Sequence, residues 1–183
     1  TVAAHLALSL WDSVPDKELW EAANQKRLGK ETEITNQLSR MMSDSRTKAK
    51  TRSFFYHWLN LSEKEDLGKD PKLFPNFDQR MIADLRTSFD LFIENVIWSP
   101  SSDYRKLFTE NKIYLNKRLA NFYSAPTPKE DSFKLLLTPD KKRAGLFTHP
   151  YVLTAFSYHK QTSPIHRGVY LSRNILGRFL KPP

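Results

Sequence analysis

Between Asp78 and Ser99 the sequence repeats apolar residues at Met81, Ile82, Leu85, Phe89, Phe92, Ile93, Val96 and Ile97, with polar residues between them. Spacings of three and four put these side chains on one broad face of an α-helix. Asp78 is placed to cap that helix, and Ser99-Pro100 to stop it. A stripe this wide must be covered by other elements, so the chain has to build a helical core around it. The stripe reads as core and not as a seat for a cofactor.

The surrounding segments supply further helices. Val2, Leu6 and Leu10 fall at helical spacing, with Ala3, Ala7 and Trp11 beside them. Ser13-Val14-Pro15-Asp16 is a start signal in which Asp16 caps a helix whose buried stripe is Leu19, Trp20 and Ala23, and Gly29 supplies a stop. Ile34, Leu38, Met41 and Met42 mark another helix over 31–42. A further one over 46–59 carries Ala49, Ser53, Phe54 and Trp58, with Phe55 and Leu59 flanking them. Lys48, Lys50 and Arg52 lie opposite and read as a solvated face. Residues 62–76, with Gly68, Pro71 and Pro75, read as a loop. Ser102-Asp103 caps a short turn through Leu107, and 116–123 is helical with Leu119, Ala120 and Phe122 inward.

The last third differs in texture. Residues 1–132 hold 20 Lys+Arg and 19 Asp+Glu, whereas 133–183 hold nine bases and one acid, Asp140. Seven of the eleven prolines also lie after Ser124. The compositional break divides the chain into a helical domain over 1–125 and a basic partial domain over 126–183. Phe133, Leu135 and Leu137, then turn chemistry at 138–142, then Ala144, Leu146 and Phe147 predict a small β-hairpin near 133–147. Two further helices come after it, over 151–158 and, from the Ser163 cap with Pro164 at the first position, over 165–179. The predicted fold class is mainly α, a bundle-like helical domain with one small hairpin. The opening residue already belongs to an amphipathic run, and Pro182-Pro183 leads into an extended segment. The chain therefore reads as an excerpt of a longer polypeptide, with a complete small protein as the alternative.

No catalytic motif stands out. There is no cysteine, which excludes disulfides, thiolate metal sites, cysteine nucleophiles and in-chain Cys-x-x-Cys-His haem attachment. His5, His57, His149, His159 and His166 form no His-Glu-x-x-His pattern, so no metal site is expected. The five glycines stand apart, leaving no phosphate loop, and no Gly-x-Ser-x-Gly elbow marks a nucleophile. Glu31/Glu33 and Glu63/Glu65/Asp66 sit in polar stretches. No apolar run is long enough to cross a bilayer. Lys141, Lys142 and Arg143, with Tyr158, His159, Lys160, Arg167 and Arg173, form either a basic surface with interleaved aromatics or a solvated hairpin tip and helix face. A third reading sets them against an acidic neighbour, protein or prosthetic group.

Several strings go further. Leu8-Ser9-Leu10-Trp11-Asp12-Ser13-Val14-Pro15-Asp16-Lys17-Glu18-Leu19 is followed in order by Arg40-Met41-Met42-Ser43-Asp44-Ser45-Arg46, by Phe55-Tyr56-His57-Trp58-Leu59-Asn60-Leu61, by Phe74-Pro75-Asn76-Phe77-Asp78, and by Tyr114 to Tyr123. Together they resemble domain of unknown function 1592, a family found in large extracytoplasmic proteins of planctomycetes and related bacteria. Arg143-Ala144-Gly145-Leu146-Phe147-Thr148-His149-Pro150 and Thr162 to Val169, running on to Asn174-Ile175-Leu176-Gly177, resemble the start of its companion, domain of unknown function 1588. That companion is also called a planctomycete-type extracellular cytochrome c domain. In it a proline run succeeds the Asn-x-Leu-Gly segment sooner than here, where Gly177-Arg178-Phe179-Leu180 intervenes.

The resemblance implies a periplasmic or extracellular parent protein with a c-type haem downstream, and no cofactor within these residues. The leading expectation is a non-catalytic helical scaffold that partly covers the haem domain and supports electron transfer. Arg167 is then a candidate partner for a haem propionate, and Arg173, Lys141, Lys142 and Arg143 are candidate contacts to the haem domain or to a polyanion. Partners would be the neighbouring haem domain, a redox partner or an acidic polysaccharide, with nucleic acid disfavoured. Two alternatives stand beside it: part of an extracellular oxidoreductase acting on polysaccharide, or a basic polyanion-binding module.

Overall fold

The structure, a computed structural model, describes residues 1–62, 64, 67–137 and 143–179. It is mainly α-helical with a two-stranded antiparallel sheet, the expected fold class. The chain divides into two compact units, Thr1–His57 and Trp58–Pro183.

The first unit contains α1 (Val2–Trp11), α2 (Lys17–Asn24), a 3-10 turn (Arg27–Gly29), α3 (Glu31–Met42) and most of α4 (Ser45–Trp58). Its core is Ala3, Ala7 and Trp11 from α1, Leu19 and Ala22 from α2, Leu28, and Met41 from α3. The buried stripe of α1 is thus the row of small residues that ends in Trp11, with Leu6 and Leu10 packed at its border. On α2 the inward positions are Leu19 and Ala22, and Trp20, expected inside, is 58% exposed. Asp16 accepts from the Leu19 N–H at 3.0 Å, capping α2 as its position predicts. The same carboxylate receives two bonds from Arg40, at 2.6 and 3.1 Å, a bidentate pair that ties α3 to the start of α2. The Trp11 indole donates to the Met41 carbonyl at 3.2 Å, and the Arg46 guanidinium lies 3.4 Å from the centre of the Trp11 ring.

The second unit is organised by α5 (Gln79–Ile97), whose cap is Asp78, accepting from the Met81 N–H at 2.8 Å. Met81, Ile82, Leu85, Phe89, Phe92, Ile93 and Val96 are buried along it, the stripe visible in the sequence. Around it run α6 (Lys106–Thr109), β1 (Lys112–Leu115), α7 (Lys117–Phe122), β2 (Lys134–Leu137), a 3-10 turn (Leu146–Thr148), α8 (Pro150–Ala155) and α9 (Pro164–Tyr170). Strand β2 forms within the segment expected to hold the hairpin. Its partner is β1, in antiparallel register from Lys112↔Leu137 to Leu115↔Lys134, while Leu146–Thr148 adopt the 3-10 turn. Ile113 and Leu115 of β1 point into the core. The helix expected over 165–179 ends earlier, because α9 gives way after Tyr170 to a π-helical turn, Leu171–Ile175, closed by Leu176 N–H to the Leu171 carbonyl at 3.0 Å. Ile165 and Leu176 are exposed, and Tyr170 goes inward to stack on Phe156 at 4.3 Å between ring centres.

Gly145 adopts φ +63°, and a Cβ there would overlap the backbone of Leu107 and Phe108. Its N–H reaches the Glu110 carbonyl at 2.8 Å. Only glycine meets both requirements, the left-handed backbone and the close approach of a second strand of chain. This junction sets where the chain re-enters the core beside His149, and hence where Arg143, two residues earlier, is held.

Candidate functional site: a cleft of arginines and aromatics

The second unit carries a cleft of about 280 Å³ whose lining includes both Arg143 and Arg167. Two of the basic residues singled out in the sequence therefore come together, although 23 positions separate them in the chain. Arg173 does not join them: it is exposed on the π-helical turn, which is fastened by Trp58 Nε1 donating to the Asn174 carbonyl at 3.3 Å. Lys141 and Lys142 lie outside the described residues.

Each arginine is positioned by its local structure. The segment before α9 turns back on itself, with Tyr158 N–H bonded to the Gln161 carbonyl at 2.9 Å and an antiparallel bridge between Ser157 and Thr162. Ser163 then caps α9, its hydroxyl accepting from the His166 N–H at 3.3 Å. Arg167, the middle residue of α9, reaches back to donate through Nη1 to the Thr162 hydroxyl. Arg143 stands over the face of Tyr123, 5.4 Å from the ring centre. Burial pushes the Tyr123 phenol up to about 12, with Arg143 acting weakly in the other direction, so this ring brings no negative charge to the cleft at neutral pH. Lys69, also in the lining, donates to the Thr154 carbonyl at 3.3 Å.

Aromatic rings form much of the remaining wall, beside Pro150, Leu153 and small polar side chains. Phe77 and Phe122 meet edge to face at 6.1 Å, and Phe122 meets Tyr123 at 5.1 Å and 81°. Phe122 was expected inward on α7. Leu119 and Ala120 are buried there, but Phe122 is 38% exposed and lines the cleft instead. Phe74 and Tyr158 contribute further partly exposed rings, and no Asp or Glu lines the cleft among the described residues. Lys69, Phe77 and Tyr123 were not read as site residues from the sequence. The Phe74-Pro75-Asn76-Phe77 string marks Phe77 and the aromatic pair closing α7 marks Tyr123, whereas no sequence signal marks Lys69.

Behind the cleft, His149 is fully buried between Phe89 and Phe92, with ring centres 5.1 and 6.0 Å away. Burial, with a smaller effect from Arg143, pushes it down to about 3, so it is neutral. Its Nδ1 accepts from the Tyr151 N–H at 3.2 Å, which leaves the proton on Nε2. Both ring nitrogens are thereby committed to structure. Among the described residues no cluster of three or more His, Asp and Glu is arranged to hold a metal ion, and no helix is long and apolar enough to cross a membrane.

Residues 1–124 match the family model PSD4, described as "Protein of unknown function (DUF1592)", and residues 143–183 match PSCyt3, described as "Protein of unknown function (DUF1588)". The two succeed each other in the order that the sequence motifs indicate. No curated protein and no solved structure matches the chain.

Proposed function

The chain belongs to the family described as "Protein of unknown function (DUF1592)", and from that membership we propose that it is a helical scaffold set beside a c-type haem domain, supporting electron transfer outside the cytoplasm. The family names point loosely to a cytochrome-associated module. The observation that carries the reading is the meeting of Arg143 and Arg167, both inside the DUF1588-matched segment, in one cleft lined by no carboxylate among the described residues. A guanidinium matches a carboxylate in charge and in the spacing of its donors, and the acidic groups at a haem's edge are carboxylates.

The residues present set limits on that role. With no cysteine, thioether attachment falls outside these 183 residues. A cleft of about 280 Å³ is at the small end of ligand sites, suited to the acidic edge of a macrocycle and not to its whole. When bound by the neighbouring domain, the haem supplies one-electron chemistry. This chain's part is positional: Arg167 reaches from the middle of α9 back to the Thr162 hydroxyl, Arg143 is braced on Tyr123, and the rings of Phe77 and Phe122 line one side.

The test is expression of the intact polypeptide that carries this chain in a host that matures c-type cytochromes. Support is a covalently bound haem, seen by its absorbance, whose midpoint potential falls when Arg143 and Arg167 are both changed to Ala. A polypeptide that acquires no haem, or one indifferent to the double substitution, rejects the reading.

A further inference from the structure

We propose that the cleft of the second unit is itself a binding site for an organic carboxylate that carries a flat face, with Arg167 and Arg143 supplying the charge and Phe74, Phe77, Phe122 and Tyr158 the platform. It rests on the reading above in one respect, the direction of Arg167 toward a carboxylate, and extends it to a ligand class the chain can bind by itself.

Three observations converge. Among the described residues Arg167 spends one of its five N–H donors, on Thr162, so most of its fork remains to be matched there. Arg143 is held against the face of Tyr123, a ring that stays neutral at pH 7, which places its guanidinium in the same lining as Arg167. The third observation is the cost the fold bears: four aromatic side chains converge on a solvent-reaching cleft when neighbouring apolar residues of the same elements, such as Leu119 and Ala120, are fully buried. Concave surfaces that combine aromatic rings with convergent polar groups are a usual form of small-ligand site.

The polar lining narrows the class. Gln161 and Thr162 offer neutral hydrogen-bonding groups beside the arginines, which suits a ligand with hydroxyl or carbonyl groups near its acid. No glycine lines the cleft among the described residues, so they form no backbone nest of the kind that typically cradles phosphate. A carboxylate on a ring meets all of these conditions. It has two natural sources, the propionate edge of a porphyrin and the uronate residue of an acidic sugar, whose pyranose C–H face also lies flat on aromatic rings.

Calorimetric titration of the 183-residue chain tests the site directly, using metal-free mesoporphyrin and trigalacturonate as the two acids, with methyl-esterified trigalacturonate and inorganic phosphate as controls. The expected result is saturable binding of at least one acid, with the ester and phosphate weaker by about tenfold or more. Arg167→Ala is expected to weaken the bound acid by a similar factor while the circular dichroism spectrum is unchanged. If that variant loses its fold, Arg167→Lys, which keeps the charge and loses the fork, is expected to weaken binding severalfold. Binding of trigalacturonate alone upholds the site and removes the haem-edge reading. Mesoporphyrin alone upholds both. Binding of neither acid, equal binding of acid and ester, or indifference to every Arg167 variant overturns the proposal.

Discussion

Nε2 of His149 lies 3.3 Å from the hydroxyl of Ser88, and that hydroxyl in turn donates to the Tyr114 carbonyl at 2.5 Å. A buried relay therefore links the start of α8, the middle of α5 and strand β1. With Nδ1 accepting from Tyr151, Nε2–H donates to Ser88, and each group in the relay is satisfied once. Ser88→Ala removes the middle member and strands a donor and an acceptor in the core. The expected loss is about 1–3 kcal/mol, measured by urea unfolding.

The neutrality of His149 makes stability depend on pH in a defined direction. Its folded value is about 3, against an ordinary value near 6.5, so between these the unfolded chain binds the extra proton. The contribution is full above about pH 6.5 and is lost as pH falls toward 3, by about 1.4 kcal/mol per pH unit. Unfolding free energies at several pH values between 7.5 and 4 check this. His149→Gln is expected to be less stable at neutral pH and to show a slope shallower by about one proton.

Gly145→Ala is expected to destabilise the second unit by on the order of 3 kcal/mol, since both the left-handed backbone and the space taken by Leu107 and Phe108 oppose a side chain. Thermal unfolding of the variant measures it. Gly29→Ala, where no atom lies within 4 Å of the added carbon, is expected to be close to neutral.

Asp16 both caps α2 and pairs with Arg40. The Arg40 hydrogen bond is the main cause holding its carboxyl below the usual range. Asp16→Ala is expected to cost about 1–2 kcal/mol, and Asp16→Asn less, because the amide oxygen keeps the cap and loses the ion pair. The Asp16 contribution is present above the ordinary value near 4 and fades as pH falls through the lowered one. Comparing urea midpoints of the two variants at pH 7 separates cap from pair.

Local features were the ones legible in the sequence. The caps at Asp16, Asp78 and Ser163 and the stripe of α5 lie within one or two turns of the signal that marks them. Arg143 and Arg167 stood out by charge, and the motif order pointed to the family. The rest depended on contacts across the chain. The partner of β2 is some twenty residues upstream in β1, and no turn chemistry announces it. Trp20 and Phe122 have apolar side chains and outward positions, because the smaller neighbours Ala22 and Ala120 take the buried sites. Arg173 sits exposed within the π-helical turn that succeeds α9, outside the cleft lining, and the helical spacing read from the sequence does not announce that turn. The cleft exists only once α7, α8 and the turn before α9 are in place.

The central claim, that the cleft arginines face a carboxylate of a haem-bearing neighbour, is tested most directly by the haem's midpoint potential in the intact polypeptide. A positive charge beside a haem favours the reduced state, so Arg167→Ala is expected to lower the potential, while Arg173→Ala, outside the cleft, leaves it unchanged. A potential that does not move with Arg167, or that moves equally with Arg173, contradicts the account.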